Sequence, residues 1–516
     1  MRFLKPRSPR DVAEDPLLAL GGAGLVGDSA GLPGGLLPAS DSRQSHGAVA
    51  VLVCCVAAFV AFLDTTIVNI AFPAIARAFG SRVSLSTLSW VVNGYNVVIA
   101  ALLVPAGRAA DRFGRKRAFI AGLVLFTAAS AACAGAQSAP ALIAVRVVQA
   151  VGAAILVPTS LALLLPRFEP GARLSAVSLW GAASALGAGI GPSLGGALVD
   201  AASWRAVFLV NVPLGVVAAM AALKVLPEER ERGPLPDLVG AALLTAGLGV
   251  LALGIVKGGE WHWDSPATLA CLAGALVLIG IVCWRSLRHP EPVIDPRLLG
   301  RGLAAAGNVA TLLLSVALYA TILNNVLFLT GVWGYSVLDA GLAISPAALL
   351  TAAVARPAGL LAERHGVRRV AIPGTAIYAA GILLFAGSAG GSPDFVGRWL
   401  PGAVLTGVGM GMALPTLVGV VVASSPEPRL ATTSGINAAV RQLGGVLGVA
   451  LVVSILAAAA PGRGAALSAH RSAWYLAIDF ALAAAVVALR IPSRARREAA
   501  AALASAEGAP GRRPVG

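Results

Sequence analysis

The sequence predicts an all-α polytopic membrane protein that crosses the bilayer fourteen times, and three observations carry that reading. Hydrophobic residues make up 57% of the 516-residue chain and charged residues 12%, with a mean hydropathy of +0.83. Soluble domains carry roughly 25% charge, so this chain has too little polar surface to cover a water-facing globule. Apolar runs of 18 to 26 residues recur along it, each long enough for a hydrocarbon core of about 30 Å. They do not alternate apolar and polar positions, as the strands of a membrane barrel would, so the spans are helices. Finally, Lys and Arg crowd into every second loop.

In chain order, helices 1 to 6 are expected near 49–73, 88–107, 118–136, 140–165, 175–199 and 206–226. Helices 7 and 8 follow near 238–256 and 266–284. Helices 9 to 14 are expected near 303–330, 337–362, 370–389, 398–423, 433–459 and 472–490, with ends good to about 2–4 residues. An even number puts both termini on one side. With the N-terminus inside, the inner loops hold eighteen Lys and Arg and the outer loops seven, which places both termini in the cytoplasm by the positive-inside rule. Trp90, Trp204, Trp261, Trp263, Trp333, Tyr335, Trp399 and Trp474 fall at or near the outer ends, where an aromatic belt is expected.

The formal charge of +15 would suggest nucleic acid in a soluble protein. Here the cytoplasmic loops account for it, and no nucleic-acid partner is expected. The five cysteines all lie inside predicted helices, as small packing residues rather than a disulfide framework. Residues 1–47 are rich in Gly, Pro and Ser. Their apolar stretch Pro16–Val26 is short, broken by glycines and followed by no A-x-A site, so a disordered cytoplasmic tail is expected rather than a signal peptide. Residues 491–516 form a similar tail, with Arg494, Arg496 and Arg497 placed to meet anionic headgroups.

An internal repeat organises the spans. GRAADRFGRKR (107–117) after helix 2 matches GLLAERHGVRR (359–369) after helix 10, at a constant offset of 252. VGAAILVPT, ending at Thr159, matches VGMGMALPT, ending at Thr416, at an offset of 257. Two six-helix halves in the same orientation are therefore expected at 48–226 and 301–490, with helices 7 and 8 inserted between them within 227–300. Parallel repeats are a known plan of secondary transporters, with the substrate site at the midplane between halves.

Ionisable groups inside hydrocarbon cost at least about 2.5–3.5 kcal/mol each on insertion scales, so they call for a reason. Asp64 lies in helix 1 within LDTTIVNIAFP, beside Thr65, Thr66 and Asn69. Desolvation favours the neutral, proton-bearing form of a carboxylate, which would make Asp64 a proton carrier; a hydrogen-bonded packing Asp that never titrates is the other reading. Arg146 in helix 4 lies at a similar depth, with Gln149 one turn further along. A cation that meets Asp64 in only one conformation would make proton affinity conformation-dependent; alternatively Arg146 is a static partner or snorkels to the headgroups. Arg356 and Arg441 are placed toward inner helix ends, within reach of the interface, and Asp479 of helix 14 is as consistent with packing as with function. Thr65, Asn69, Asn96, Gln149 and Asn437 are the mid-span polar candidates for a substrate cavity; polar glue between helices is their ordinary role.

Two backbone motifs stand out. GAGIGPSLGG in helix 5 repeats glycine at Gly187, Gly191 and Gly195, leaving one face bare for close helix approach. Pro192 bends that helix, and Gly196 pairs with Gly195. In GRAADRFGRKR, Asp111 can cap a helix or pair with an arginine as a breakable latch. Positive-inside topology would explain the arginines of that loop but not Asp111 or the glycines.

A nucleotide-driven pump needs a GxxxxGK[ST] loop, and none of the four lysines is followed by Ser or Thr. The five histidines form no Cys/His cluster, so no metal is expected. Nor is any soluble segment long enough for a catalytic domain. The chain is expected to be no enzyme and to use no cofactor beyond a proton gradient.

From about residue 49 to 490 these residues resemble the major facilitator superfamily, specifically its 14-helix drug:proton antiporter branch. LDTTIVNIAFPAI resembles that branch's helix 1 motif and implies Asp64 as the membrane acid. GRAADRFGRKR is similar to motif A through Gly107, Asp111, Arg112, Gly114 and Arg115. RVVQAVGAA resembles motif B through Arg146, Gln149 and Gly152, with Ala150 where glycine is usual. GAGIGPSLGG resembles antiporter motif C, SWRAVFLVNVPLG the helix 5–6 junction with Asn211, and INAAVRQLGGVLG helix 13. Two departures matter: helix 13 has no acid, and Thr330 stands where glutamine is frequent. The first disfavours dicationic cargo and leaves neutral or monocationic cargo open.

The resemblance implies proton-coupled export of small molecules by alternating access, from a monomer in the plasma membrane whose partners are substrate, protons and the lipid bilayer. A proton-coupled importer, a dedicated exporter of one endogenous compound, and a non-transporting sensor or scaffold are the competing expectations.

Overall fold

The structure is a computed structural model that describes residues 41–80, 83–168, 173–229, 236–290, 292–293, 302–388, 390, 393–423, 430–460 and 462–491. The tails expected at 1–47 and 491–516 lie almost wholly outside these residues. Of the unit Met1–Gln44 only Asp41–Gln44 is described; the other unit begins at Ser45.

Among the described residues, fourteen helices are long and apolar enough to cross a membrane. They are α1 (Asp41–Phe79), α2 (Trp90–Phe113), α3 (Arg115–Ala134), α4 (Ala139–Leu164), α5 (Arg173–Ala201), α6 (Asn211–Val225), α7 (Leu238–Trp261) and α8 (Pro266–Ser286). Then follow α9 (Gly302–Gly331), α10 (Val337–His365), α11 (Arg368–Ser388), α12 (Leu400–Ala423), α13 (Leu430–Ala457) and α14 (Arg463–Ala488). The number matches the expectation, while several boundaries differ by five residues or more. α1 continues through Pro73 for six residues, since a proline inside a helix removes one hydrogen bond and bends the axis without having to end it. α2 runs on to Phe113, so most of the expected loop after it is helix. α14 starts nine residues before the expected 472.

Two faces of each half repeat. Gly152 of α4 lies so close to α3 that a Cβ there would stand 2.6 Å from Phe126 N. Gly409 of α12 approaches Tyr378 of α11 in the same way, and 126 and 378 are 252 residues apart. The repeat also fixes helix ends. Gly114 (φ 115°, ψ 121°) and Gly366 (φ 91°, ψ 142°) terminate α2 and α10, each donating its N–H to the carbonyl four residues back, Ala110 and Ala362. Both φ values lie where side chains are strained, which explains glycine at both places.

The halves meet along α5 with α10 and α2 with α13. The inserted pair sits outside this seam: α7 packs on α2 and α13, and α8 packs on α7. Arg285 holds the buried Asp237 at 2.8 Å, while Asp237 caps α7 by accepting from Gly240 N. At the other end Lys257 and Glu260 pair at 2.6 Å, and both hydrogen-bond Ser86.

The aromatic belt needs correction. Trp399 and Trp474 are fully buried and stack around Phe328 and Phe385, with Trp333 beside them. Trp204 packs between Phe79 and Phe208. Only Trp261 and Trp263 of the expected set are exposed. Trp474 donates to Asn325 and Trp399 to the Ala343 carbonyl, so these rings found partners inside the bundle rather than at headgroups.

Candidate functional site

α1 presents three faces at mid-length, and each meets something different. Asp64 points to α4 and α6, Phe62 and Thr65 line a cavity, and Leu63, Thr66, Ile67 and Ile70 lie against α5.

Asp64 is sealed from solvent, and so is Arg146. Arg146 Nη1 donates to Asp64 Oδ2 at 2.6 Å and to Gln149 Oε1 at 2.6 Å. Asp64 Oδ1 accepts from Gln149 Nε2 at 3.0 Å and from Asn211 Nδ2 at 3.1 Å. Gln149 also donates to Ser130 Oγ at 2.6 Å, and Arg146 Nε reaches the Val91 carbonyl at 3.1 Å. The guanidinium lies 4.0 Å from the Tyr95 ring centre and 5.7 Å from that of Phe208. A buried ion pair is tolerated only when its remaining donors and acceptors are satisfied. Five helices of the first half, α1, α2, α3, α4 and α6, contribute to satisfying this one.

Asp64, Arg146 and Gln149 are thus brought together. Asn211, Ser130 and Tyr95 complete the cluster, and sequence reasoning singled none of them out for it. Asn211 was visible only as part of the helix 5–6 junction motif; Ser130 and Tyr95 carried no signal, because spacing does not tell which face of a helix turns inward. Cys133, expected as a packing residue, places its thiol 3.7 Å from Gln149 Oε1.

A small cavity of about 50 Å³ lies between the halves, beside the ion pair. Its walls include Phe62 and Thr65 of α1, Tyr95 of α2, Val157 of α4, Tyr319 of α9, and Arg441 and Gln442 of α13. Tyr95 therefore belongs to both places: it touches Arg146 and it lines the cavity. Of the five cavity candidates only Thr65 lies on this wall. Gln149 belongs to the Asp64 cluster. Asn69 donates to the Thr65 carbonyl within its own helix at 2.7 Å. Asn96 is buried off the cavity, and its Nδ2 has no hydrogen-bond partner among the described residues. Asn437 donates to Asn308 Oδ1 at 2.9 Å, one position from the cavity-lining Ala438. Asn96 and Asn437 each stand one residue, a rotation of about 100°, from a wall residue, whereas Asn69 and Gln149 lie one turn along the helix from Thr65 and Ala153. Arg441, expected to reach the interface, instead lines the cavity, and Asp479 is exposed on the outside of α14.

The two backbone motifs occupy contacts between helices. A Cβ on Gly195 would stand 2.5 Å from Ile70, and Gly187 and Gly191 press on Phe59 and Thr66 of α1. Gly196 faces the other way, where a Cβ would stand 2.6 Å from Leu338 of α10; a Cβ on Gly341 of α10 would strike the Pro192 carbonyl. α5 is thus wedged between α1 of one half and α10 of the other. At the same end of α10, Leu338 N–H donates to Asp200 Oδ2 at 3.2 Å. In the first copy of the repeated loop, Asp111 accepts from Arg115 Nε at 2.7 Å across Gly114. Arg115 also lies 3.5 Å from Glu229, and its N–H donates to the Glu229 carbonyl. Gly107 packs on Pro158, while Arg112 is exposed.

The sequence profile of the Major Facilitator Superfamily matches residues 54–306 and again 307–511. The chain is 35% identical to the probable actinorhodin transporter of Streptomyces coelicolor over 76% of this chain and 69% of that protein. It is 34% identical to the cephamycin export protein CmcT of Amycolatopsis lactamdurans over 88% and 94% of the two chains. It is also 34% identical to the multidrug resistance protein Stp of Mycobacterium tuberculosis over 78% and 74%. Among solved structures, a peptide transporter POT in complex with sulfate superposes with a TM-score of 0.62 at 15% identity, covering 87% of this chain and 98% of that one. A bacterial homolog of the human lysosomal transporter Spinster gives 0.60 at 16% identity, covering 87% and 97%. These two likenesses bear on the fold alone.

Proposed function

We propose that this chain, which belongs to the Major Facilitator Superfamily, exports small organic molecules from the cytoplasm across the cell membrane, driven by proton entry. Export is supported by its relatives, which include export and multidrug-resistance proteins at 34% identity over most of both chains. Proton coupling rests on one observation, the buried Asp64–Arg146 pair at 2.6 Å beside a cavity between the halves. The excess of Lys and Arg in alternate loops supports cytoplasmic termini.

The geometry suggests how coupling works. With Asp64 ionised, its charge ties α1 to α4 and α6 through Arg146, Gln149 and Asn211. A proton on Asp64 removes the attraction, and the carboxyl can then serve only as a weaker hydrogen-bonding partner. α1 is then free to shift relative to α4. A different face of α1 bears on the glycine stripe of α5, which in turn bears on α10. A small displacement at Asp64 is thereby delivered to the seam between halves, as alternating access requires. Tyr95, shared by the ion pair and the cavity wall, lets cargo sense the same event.

The test is transport by everted vesicles bearing the full chain. Adding substrate to energised vesicles should release protons from the lumen, and Asp64→Asn should abolish that release. A variant that keeps substrate-dependent proton release would remove Asp64 from the mechanism.

A further inference from the structure

Arg441 is the one charged side chain on the cavity wall, and it has no carboxylate partner among the described residues. A guanidinium is always charged, and holding a charge within a membrane span is costly without a counter-charge. The acid that is nearest in sequence to the wall, Asp64, is already occupied by Arg146, Gln149 and Asn211. Beside Arg441, Tyr319 donates its hydroxyl to Gln442 Oε1 at 3.0 Å, which leaves the Gln442 amide N–H groups as donors. The cavity thus offers cation and N–H donors on α13, and the aromatic side chains of Phe62 and Tyr95 from the other half.

We propose that this cavity selects cargo bearing an anionic group, a carboxylate or acidic phenol on a flat apolar body, with Arg441 as its counter-charge. The absence of an acid in helix 13 leaves neutral and monocationic cargo open, and Arg441 narrows the choice away from both. The inference rests on the export reading. It also has an electrical consequence. Exchange of one monoanion outward for one proton inward moves two charges per cycle, against one for neutral cargo and none for a monocation. An inside-negative potential alone should then drive export.

The experiment uses purified full-length protein and a panel of aromatic carboxylic acids, each paired with its methyl ester and with a quaternary-ammonium compound on the same ring system. Binding is read as ligand-induced stabilisation in detergent. The acids should bind at least tenfold more tightly than their partners, the margin expected of a charge-assisted hydrogen bond. Arg441→Gln should remove the preference while keeping the unliganded melting temperature. Arg441→Lys should keep part of it, since the charge stays and the planar fork is lost. Tighter binding of esters or cations overturns the proposal, as does failure of every acid to bind or an unchanged preference in Arg441→Gln. In proteoliposomes, proton-driven export of neutral or cationic compounds that survives Arg441→Gln would overturn the anion assignment and leave export standing. No export of any panel compound by the wild type would instead overturn export itself.

Discussion

Arg146 Nη1 on α4 stands 2.6 Å from Asp64 Oδ2 on α1, with both side chains closed off from solvent inside one half of the molecule. Removing one partner of a buried pair strands the other charge and costs about 3–5 kcal/mol, whereas removing both relieves the burden. Asp64→Asn and Arg146→Gln should therefore each destabilise the protein, and the double variant should lose less than the sum, with a coupling of about 0.5–3 kcal/mol. Denaturant unfolding in detergent measures it. Additive losses would mean the two side chains do not interact.

Asn211 and Gln149 hold the same carboxylate. Asn211→Leu removes one of these donors and should lower proton-coupled transport, with substrate affinity little changed. Unchanged proton release on substrate addition would leave Asn211 a packing residue.

The glycine stripe of α5 offers a graded test. Gly195→Leu and Gly196→Leu should reach the membrane yet lose transport, because the first drives into α1 and the second into α10. Gly189 has open space around its Cβ position, so Gly189→Ala should transport normally. Equal loss in all three would point to a general folding defect, detected by size-exclusion chromatography.

Gly114 and Gly366 share a left-handed backbone at corresponding helix ends. Alanine at either place should cost about 1–2 kcal/mol. Asp111→Asn acts on a half-exposed ion pair, so stability should change by about 1 kcal/mol or less. A transport rate that falls far more than stability would mark the Asp111–Arg115 contact as part of the moving machinery.

Much of this was legible from residues alone. Asp64, Arg146 and Gln149 announced themselves because polar groups in an apolar run are conspicuous, and equal depth in two spans suggested that they could meet. Asn437 and Asn96 were conspicuous for the same reason, yet Asn437 pairs with Asn308 and Asn96 is buried away from the cavity. Trp399 and Trp474 carried the right depth for a headgroup belt, yet they close the core of the second half.

The sequence by itself determined that fourteen helices cross the membrane, that a loop and a helix recur, and that one acid and one arginine lie at matching depth. Hydropathy reports transfer of a whole segment from water to lipid, and each span is read independently of the others. Only the tertiary structure decided which face of each helix meets protein. Lipid tails are as apolar as leucine, so the lipid-facing and buried sides of a span carry the same hydrophobic signal. Packing alone turned Asp64 toward Arg146, Tyr95 toward both ion pair and cavity, and Arg441 toward the space between the halves.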